Sequence, residues 1–230
     1  MTTNTEPAKT RLPLSRERVL EAAVAFADEA GIEAVSMRKL GERLGVEAMS
    51  LYNHVKNKED LLDGMVDLVV TEINLPDPDI DWKTAMRNQI LAARETMQRH
   101  DWAPKVLETR VNMSASVMRY FDAICGIFIQ GGFSLDLTHH ALHALSSRML
   151  GFTQELFDDS ETLEKDPEIQ ALMLRQMQDH YPNIHAMVEA ISHDEESILG
   201  TGCDDDVEFV FSVDLLLDGI ERKRLAEQAP

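Results

Sequence analysis

Residues 35–60 read Val35-Ser36-Met37-Arg38-Lys39-Leu40-Gly41-Glu42-Arg43-Leu44-Gly45-Val46-Glu47-Ala48-Met49-Ser50-Leu51-Tyr52-Asn53-His54-Val55-Lys56-Asn57-Lys58-Glu59-Asp60. Ser36 is placed to cap a short helix running to about Leu44, and Gly45 breaks that helix. A second short helix is expected from Glu47 to about His54. Two short helices joined by a tight glycine turn make a helix-turn-helix, whose second helix can enter a major groove. Leu40, Leu44, Val46, Leu51 and Val55 fall on one apolar face that buries against the preceding helix. Gly41 costs a helix interior roughly 1 kcal/mol relative to alanine. A residue without a side chain there lets the second helix cross closely.

The residues left outside on the second helix are Ala48, Met49, Ser50, Tyr52 and Asn53. Met49, Ser50 and Asn53 suit base edges, because an amide can read adenine and a methyl can meet thymine. Tyr52, His54, Lys56 and Lys58 suit phosphates, which fix register rather than sequence. Asn57 and Asp60 form the cap of the next helix. The competing reading of the same pattern is a small helical hairpin inside a core.

From Val19 to about Leu62 the chain resembles the tetracycline repressor (TetR) family of transcription regulators. The likeness is carried by Ala25-Phe26-Ala27, Ala30-Gly31, Ser36-Met37-Arg38-Lys39-Leu40, Leu44-Gly45-Val46 and Ser50-Leu51-Tyr52-Asn53-His54-Val55-Lys56-Asn57-Lys58. The turn Gly132-Phe133-Ser134-Leu135 and the helix after it resemble the same family. The resemblance implies an all-α fold: an N-terminal three-helix helix-turn-helix domain for DNA and a C-terminal helical domain for ligand and dimerisation. It implies that Ser36, Met37 and Arg38 open the supporting helix, with Arg38 reaching the DNA. Residues 48 to 54 become the recognition helix, and Lys58 holds a phosphate at the start of the fourth helix. That helix joins the two domains and is the natural lever between them.

A chain of 230 residues, 44% hydrophobic with only 6% aromatic, has room for one or two helical domains and a large core. Its formal charge of -19 is unevenly spread. Residues 1–60 carry nine Lys/Arg and ten Asp/Glu, and residues 61–230 carry thirteen and thirty-one. Acid away from the DNA-facing end repels nucleic acid and steers that end toward it, although an acidic surface also serves solubility alone. Cys125 and Cys203 form no CxxC pair, and neither a signal peptide nor an apolar run of membrane-spanning length is visible. A cytoplasmic protein is expected.

Residues 1–14, with Pro7 and Pro13, are expected to form a disordered tail, and residues 15–75 the DNA-binding domain with its linking helix. Leu75-Pro76-Asp77-Pro78-Asp79 marks the boundary, and residues 76–230 form the effector-binding and dimerisation domain. Helices are expected from Asp81 to Arg99, up to Thr109, from Ser114 to Gln130, from Leu135 to about Phe157, from Asp166 to His180, from Pro182 to about His193, and from about Asp204 onward. Residues 158–166 read as an acidic loop, and 194–206 as a mobile polar segment. The last helix is apolar nearly all round and must bury two sides, for which a second copy is the economical partner. By resemblance, it and the helix from Leu135 form a four-helix bundle across a two-fold axis. Leu142, Leu145, Met149, Phe209, Val213, Leu216, Leu217 and Ile220 are the interface candidates.

Motifs for nucleotide, zinc-protease, serine-hydrolase and dinucleotide chemistry are absent, so no catalytic residue is nominated and no cofactor is expected. His139 and His143 lie four apart with Asp136 one turn before, a spacing that admits a metal, though a structural role is the stronger expectation. Methionines such as Met86, Met97, Met113, Met118 and Met149 fill core gaps, and in this architecture the core also lines the pocket. The ligand candidates are Gln89, Met97, Arg110, Met113, Met118, His143 and Gln154, suited to a hydrophobic or aromatic effector. The tetracycline repressor holds a drug–metal chelate partly through histidines near the end of the fourth helix and in the short sixth helix. This chain has Asn74 and Leu107 at about those places, so a different ligand is expected. The chain thus reads as a homodimeric, ligand-released repressor on double-stranded operator DNA. An activator or effector-independent regulator of the same family, or a helical small-molecule-binding or metal-dependent enzyme, are the alternatives.

Overall fold

A computed structural model describes residues 13–77, 79–110, 113–150, 167–191 and 205–229. All regular structure among them is helical: α1 Arg16–Ala30, α2 Met37–Leu44, α3 Ala48–Leu51, α4 Lys58–Glu72, α5 Trp82–Arg99, α6 Ala103–Glu108, α7 Ala115–Gln130, α8 Leu135–Leu150, α9 Pro167–His180, α10 Pro182–Ile191 and α11 Asp205–Gln228, with a 3-10 turn at Ile32–Ala34. The expected tail up to Leu12, the 158–166 loop, the helix end beyond Leu150, Gln154 and residues 194–204 of the expected mobile segment lie outside the described residues, whereas Leu14, expected in the tail, packs half-buried against the core.

Local chemistry sets most of the helix starts. Ser15, Ser36, Asn57, Asp81 and Ser114 each accept a hydrogen bond from a backbone N–H three residues on, which satisfies a donor the helix leaves open. Gly31 and Gly45 end α1 and α2 with φ of 77° and 68°, a region that costs any other residue strain. Two ends differ from expectation. α3 closes at Leu51, after which the N–H groups of His54 and Val55 both bond the Leu51 carbonyl, 2.9 Å each. This tight turn carries Val55, 1% exposed, back into the core. α4 stops at Glu72 because Ile73 turns extended and buries its side chain.

The described residues fall into two compact units, one of residues up to His143 together with Lys223–Pro230, the other of Ala144–Arg222. In the first, α1, α2, α3 and α4 share a core of Val19, Leu40, Leu51, Val55, Leu61, Met65 and Val69, and Trp102, Ala103, Val106 and Val117 continue it. Farther along α5 and α7, Trp82, Phe128 and Phe133 pack edge to face or tilted, with centroids 4.6–5.9 Å apart. In the second unit α9 packs on α10, and Arg148 of α8 reaches the Ser212 hydroxyl of α11 at 2.6 Å while lying over the Phe209 ring. Among the described residues no helix is long and apolar enough to cross a membrane.

Candidate nucleic-acid interface

The corner between α2 and α3 is set by contact between backbones. A Cβ on Gly41 would stand 2.9 Å from the Val46 carbonyl oxygen and 3.2 Å from the Ala48 backbone. Only a glycine lets α3 lie this close. Leu40 and Leu51 are fully buried, and Leu44, Val46 and Met37 are half-buried against the same core. α3 therefore turns one side inward through Leu51 and leaves the other outside. Met49 is 74% and Tyr52 44% exposed, and Asn53, Lys56 and Lys58 are also exposed. Ala48, Ser50 and His54 are half-buried at the edge of this face. On α2, Ser36 uses its hydroxyl as the cap, and Arg38 points outward and pairs with Glu42 at 2.8 Å.

The turn after α3 is tied down by a pair that sequence spacing does not signal, since its partners are 44 residues apart. Arg16 on α1 donates to both carboxylate oxygens of Asp60 at 2.8 and 3.0 Å and to the His54 carbonyl at 2.9 Å. The Lys56 N–H donates to the same carboxylate at 2.7 Å. The Arg16 contact holds the Asp60 carboxyl below its usual range, and Asp60 in turn raises the guanidinium. Arg43 of α2 makes a second two-pronged pair with Glu29 of α1.

α4 carries a row of carboxylates, each held by a partner from a neighbouring element. Glu59 and Asp63 take Arg110, just past α6, at 2.6 and 3.2 Å; Asp67 accepts the Ser114 hydroxyl at the start of α7. Burial works against the Arg110 charge, but the two acids more than compensate and raise its pKa. At the far end, Glu72 meets Arg99 at 2.9 Å and His100 Nε2 at 3.3 Å. His100, 7% exposed, also meets Asp28 of α1 through Nδ1 at 2.8 Å, and the Trp102 indole N–H donates to the same Asp28 oxygen at 2.7 Å. α1 and both ends of α4 are thereby linked to α5, α6 and α7.

The ligand candidates do not converge. Gln89 is buried and donates to the Asn74 carbonyl at 2.8 Å. It also hydrogen-bonds Tyr120, whose phenol is pushed up by burial and drawn partly back by that bond. Met97 and Leu107 pack half-buried against the core, Arg110 is engaged by its two acids, Met113 and Met118 are 61% and 54% exposed, and His143 is exposed on α8. His143 lies 4.5 Å from His139, centroid to centroid, but Asp136 faces His140 instead, and no group of three metal-binding side chains occurs among the described residues. Of the interface candidates, Leu145, Phe209, Val213, Leu217 and Ile220 are buried within the protomer itself, and Leu142, Met149 and Leu216 half-buried. The stripe α11 leaves outside is instead Val207, Phe211 and Leu215, 57–63% exposed.

A helix-turn-helix with its outer face clear of the core, joined to further helices, is the architecture of a DNA-binding regulator. The chain belongs to the tetracycline repressor family: residues 19–65 match the family model "Bacterial regulatory proteins, tetR family", and residues 75–224 match "Tetracyclin repressor-like, C-terminal domain". It is a transcription regulator and not an enzyme. The class D tetracycline repressor protein of Escherichia coli is 31% identical over 161 residues, 67% of this chain and 72% of its own. The class A repressor from transposon 1721, also of Escherichia coli, is 26% identical over 216 residues, 92% and 93% of the two chains. Among solved structures, the Streptomyces coelicolor TetR family protein ActR in complex with actinorhodin shares the fold, with a TM-score of 0.70 at 22% identity over 93% of this chain and 99% of that one.

Proposed function

We propose that this regulator is a homodimeric repressor that reads a palindromic operator and is released from it by a small hydrophobic or aromatic effector. The single observation that carries the DNA reading is the Gly41 contact, which braces α3 from behind while Met49, Ser50, Tyr52 and Asn53 stay on its outer side. Met49, Ser50 and Asn53 read base edges. Ala48 sits against the groove wall, and Arg38, Tyr52, His54, Lys56 and Lys58 hold phosphates. Residues 15–75 act as the DNA-binding domain, and residues 76–230 as the effector-binding and dimerisation domain. The two-sided apolar character of α11 supports a dimer: Phe209, Val213 and Leu217 fill the protomer, which leaves Phe211 and Leu215 for a partner.

Effector binding tilts α4 through its row of held carboxylates, which changes the spacing of the two recognition helices and releases DNA. A coupling of only ~1–3 kcal/mol suffices. The Asn74 carbonyl is taken by Gln89, and Leu107 packs on the core. Neither supplies a metal-binding nitrogen as histidine would, so titration calorimetry with tetracycline and Mg²⁺ is expected to give no tight binding. The deciding experiment is selection of bound duplexes from a random pool by the purified full-length protein without added ligand. A palindromic motif with two half-sites is the expected result. Enrichment of a single half-site would refute the dimeric reading, and no enrichment at moderate salt would refute ligand-free operator binding.

A further inference from the structure

The segment after α4, the first turn of α5 and the outer face of the second half of α7 enclose a cavity of about 590 Å³, inside the range of about 300–1,000 Å³ typical of small-molecule sites. None of the ligand candidates named above lines it. We propose that this cavity is a binding site for a lipophilic organic cation.

Three observations lead there. The first is the wall. Leu75, Ile80, Trp82 and Ile127 face the cavity, and Leu75 and Ile80 are 62% and 38% exposed, so apolar surface stands open that folding of this chain does not bury. The second is charge. Asp77, Asp81 and Asp122 are at the lining, and no lining residue is basic. Asp81 spends one oxygen capping α5, and Asp77 accepts the Asp79 N–H. Asp122 has no hydrogen-bond or ion-pair partner among the described residues. The third is Gly126, in the middle of α7. Gly41 and Gly131 each face a neighbour that a Cβ would strike at 2.8–2.9 Å, the Val46 carbonyl and the base of the Trp82 side chain. A Cβ on Gly126 would meet only the Gln130 amide nitrogen, at 3.9 Å. Glycine weakens a helix interior, and at Gly126, as at Gly219 of α11, no neighbour in the fold requires it; Gly126 differs in leaving bare backbone on the cavity wall, where a guest can lie close.

The combination selects the guest. Asp77, Asp81 and Asp122 are exposed at the rim, so an anion would meet three carboxylates with no counter-charge, and a neutral guest would gain nothing from them. A cation with an aromatic or branched apolar body matches both: its charge meets Asp122 and its neighbours, and its body meets Leu75, Ile80 and the Trp82 ring. This goes beyond the repressor reading and concerns binding alone.

The test is titration calorimetry on the full-length protein without DNA, using tetraphenylphosphonium and tetraphenylborate, which share a shape and differ in sign. The phosphonium is expected to bind about tenfold or more tighter than the borate. Gly126→Leu, which fills the cavity without altering charge, is expected to weaken the phosphonium about tenfold, and Asp122→Asn several-fold, both with the helical circular dichroism of the parent. Because Gly126→Leu keeps the net charge of -19, its effect separates the cavity from general attraction to an acidic protein. Equal binding of the two probes, no binding of either, or phosphonium binding indifferent to both substitutions would each overturn the proposal. DNA reading is untouched by any of these outcomes.

Discussion

At the α2–α3 corner, backbone meets backbone across Gly41 at distances that leave no room for a methyl group, and the side chains behind it, Leu40 and Leu51, are fully buried. Along α4 the inner side shares the apolar core of Leu61, Met65 and Val69 with Trp102, Val106 and Val117, while its outer side meets the neighbouring elements by polar pairs: Arg110 with Glu59 and Asp63, Arg99 with Glu72, and Asp67 with Ser114. Close packing admits one arrangement and resists any other, because a sub-ångström displacement already meets repulsion. Polar pairs near the surface are worth little each and tolerate exchange with water. The α2–α3 corner is therefore built to keep its shape, and the polar pairs on the outer side of α4 are the contacts that can exchange, which is the division the proposed movement of α4 calls for.

The largest expected effect comes from breaking the rigid side. Gly41→Val forces a branched side chain into the Val46 and Ala48 backbone and should cost about 1–3 kcal/mol of stability, the usual range for overpacking, together with operator binding. Urea denaturation and fluorescence anisotropy on the selected operator would measure both, and a variant as stable and as tight as the parent would refute the steric account. Next come the outward residues. Tyr52→Ala and Lys58→Ala should leave stability within about 0.5 kcal/mol yet weaken the operator. Lys58→Ala should also make the slope of log affinity against log salt shallower by about one for each phosphate that Lys58 neutralises. An unchanged slope would remove Lys58 from the phosphate backbone.

The seam should yield less. Arg110→Ala is expected to cost about 1 kcal/mol at low salt, a penalty that shrinks toward 1 M salt as screening shortens to about 3 Å; paired denaturation curves at the two ionic strengths check it. Asp60→Asn tests one of the two forked pairs that tie α1 to the head, the other being Arg43 with Glu29. Asp60 is held below its usual range, so its stabilisation is present above about pH 4 and fades as pH falls through the lowered value. The variant should be less stable than the parent near neutrality by up to about 1 kcal/mol. The two should converge under acid, and a gap that widened instead would reverse the assignment.

How much of this was legible in sequence follows the range of each contact. Caps act over three residues, so Ser15, Ser36, Asn57, Asp81 and Ser114 could be read directly, as could the turns at Gly31 and Gly45. Gly41 was legible because an unfavourable residue in a helix interior asks for a reason. The Asp28–His100–Trp102 contacts join residues 72 and 74 apart, with no pattern announcing them. α11 is apolar on every side, so its sequence could not separate the face of Phe209, Val213 and Leu217 from that of Phe211 and Leu215. Met113 and Met118 suit a pocket by residue type, and type alone does not say which way a side chain faces; both face water.

The placement of Gly41 behind α3, and of Met49, Ser50 and Asn53 in front of it, divides the labour of the corner between residues that never touch the same partner. On the proposed reading, the posture of α3 is written in its back and its vocabulary in its front. New operators can then be acquired by exchanging a few outward side chains while the joint beneath them is inherited unchanged. Drift in sequence preference need not pass through an unfolded or misaligned ancestor.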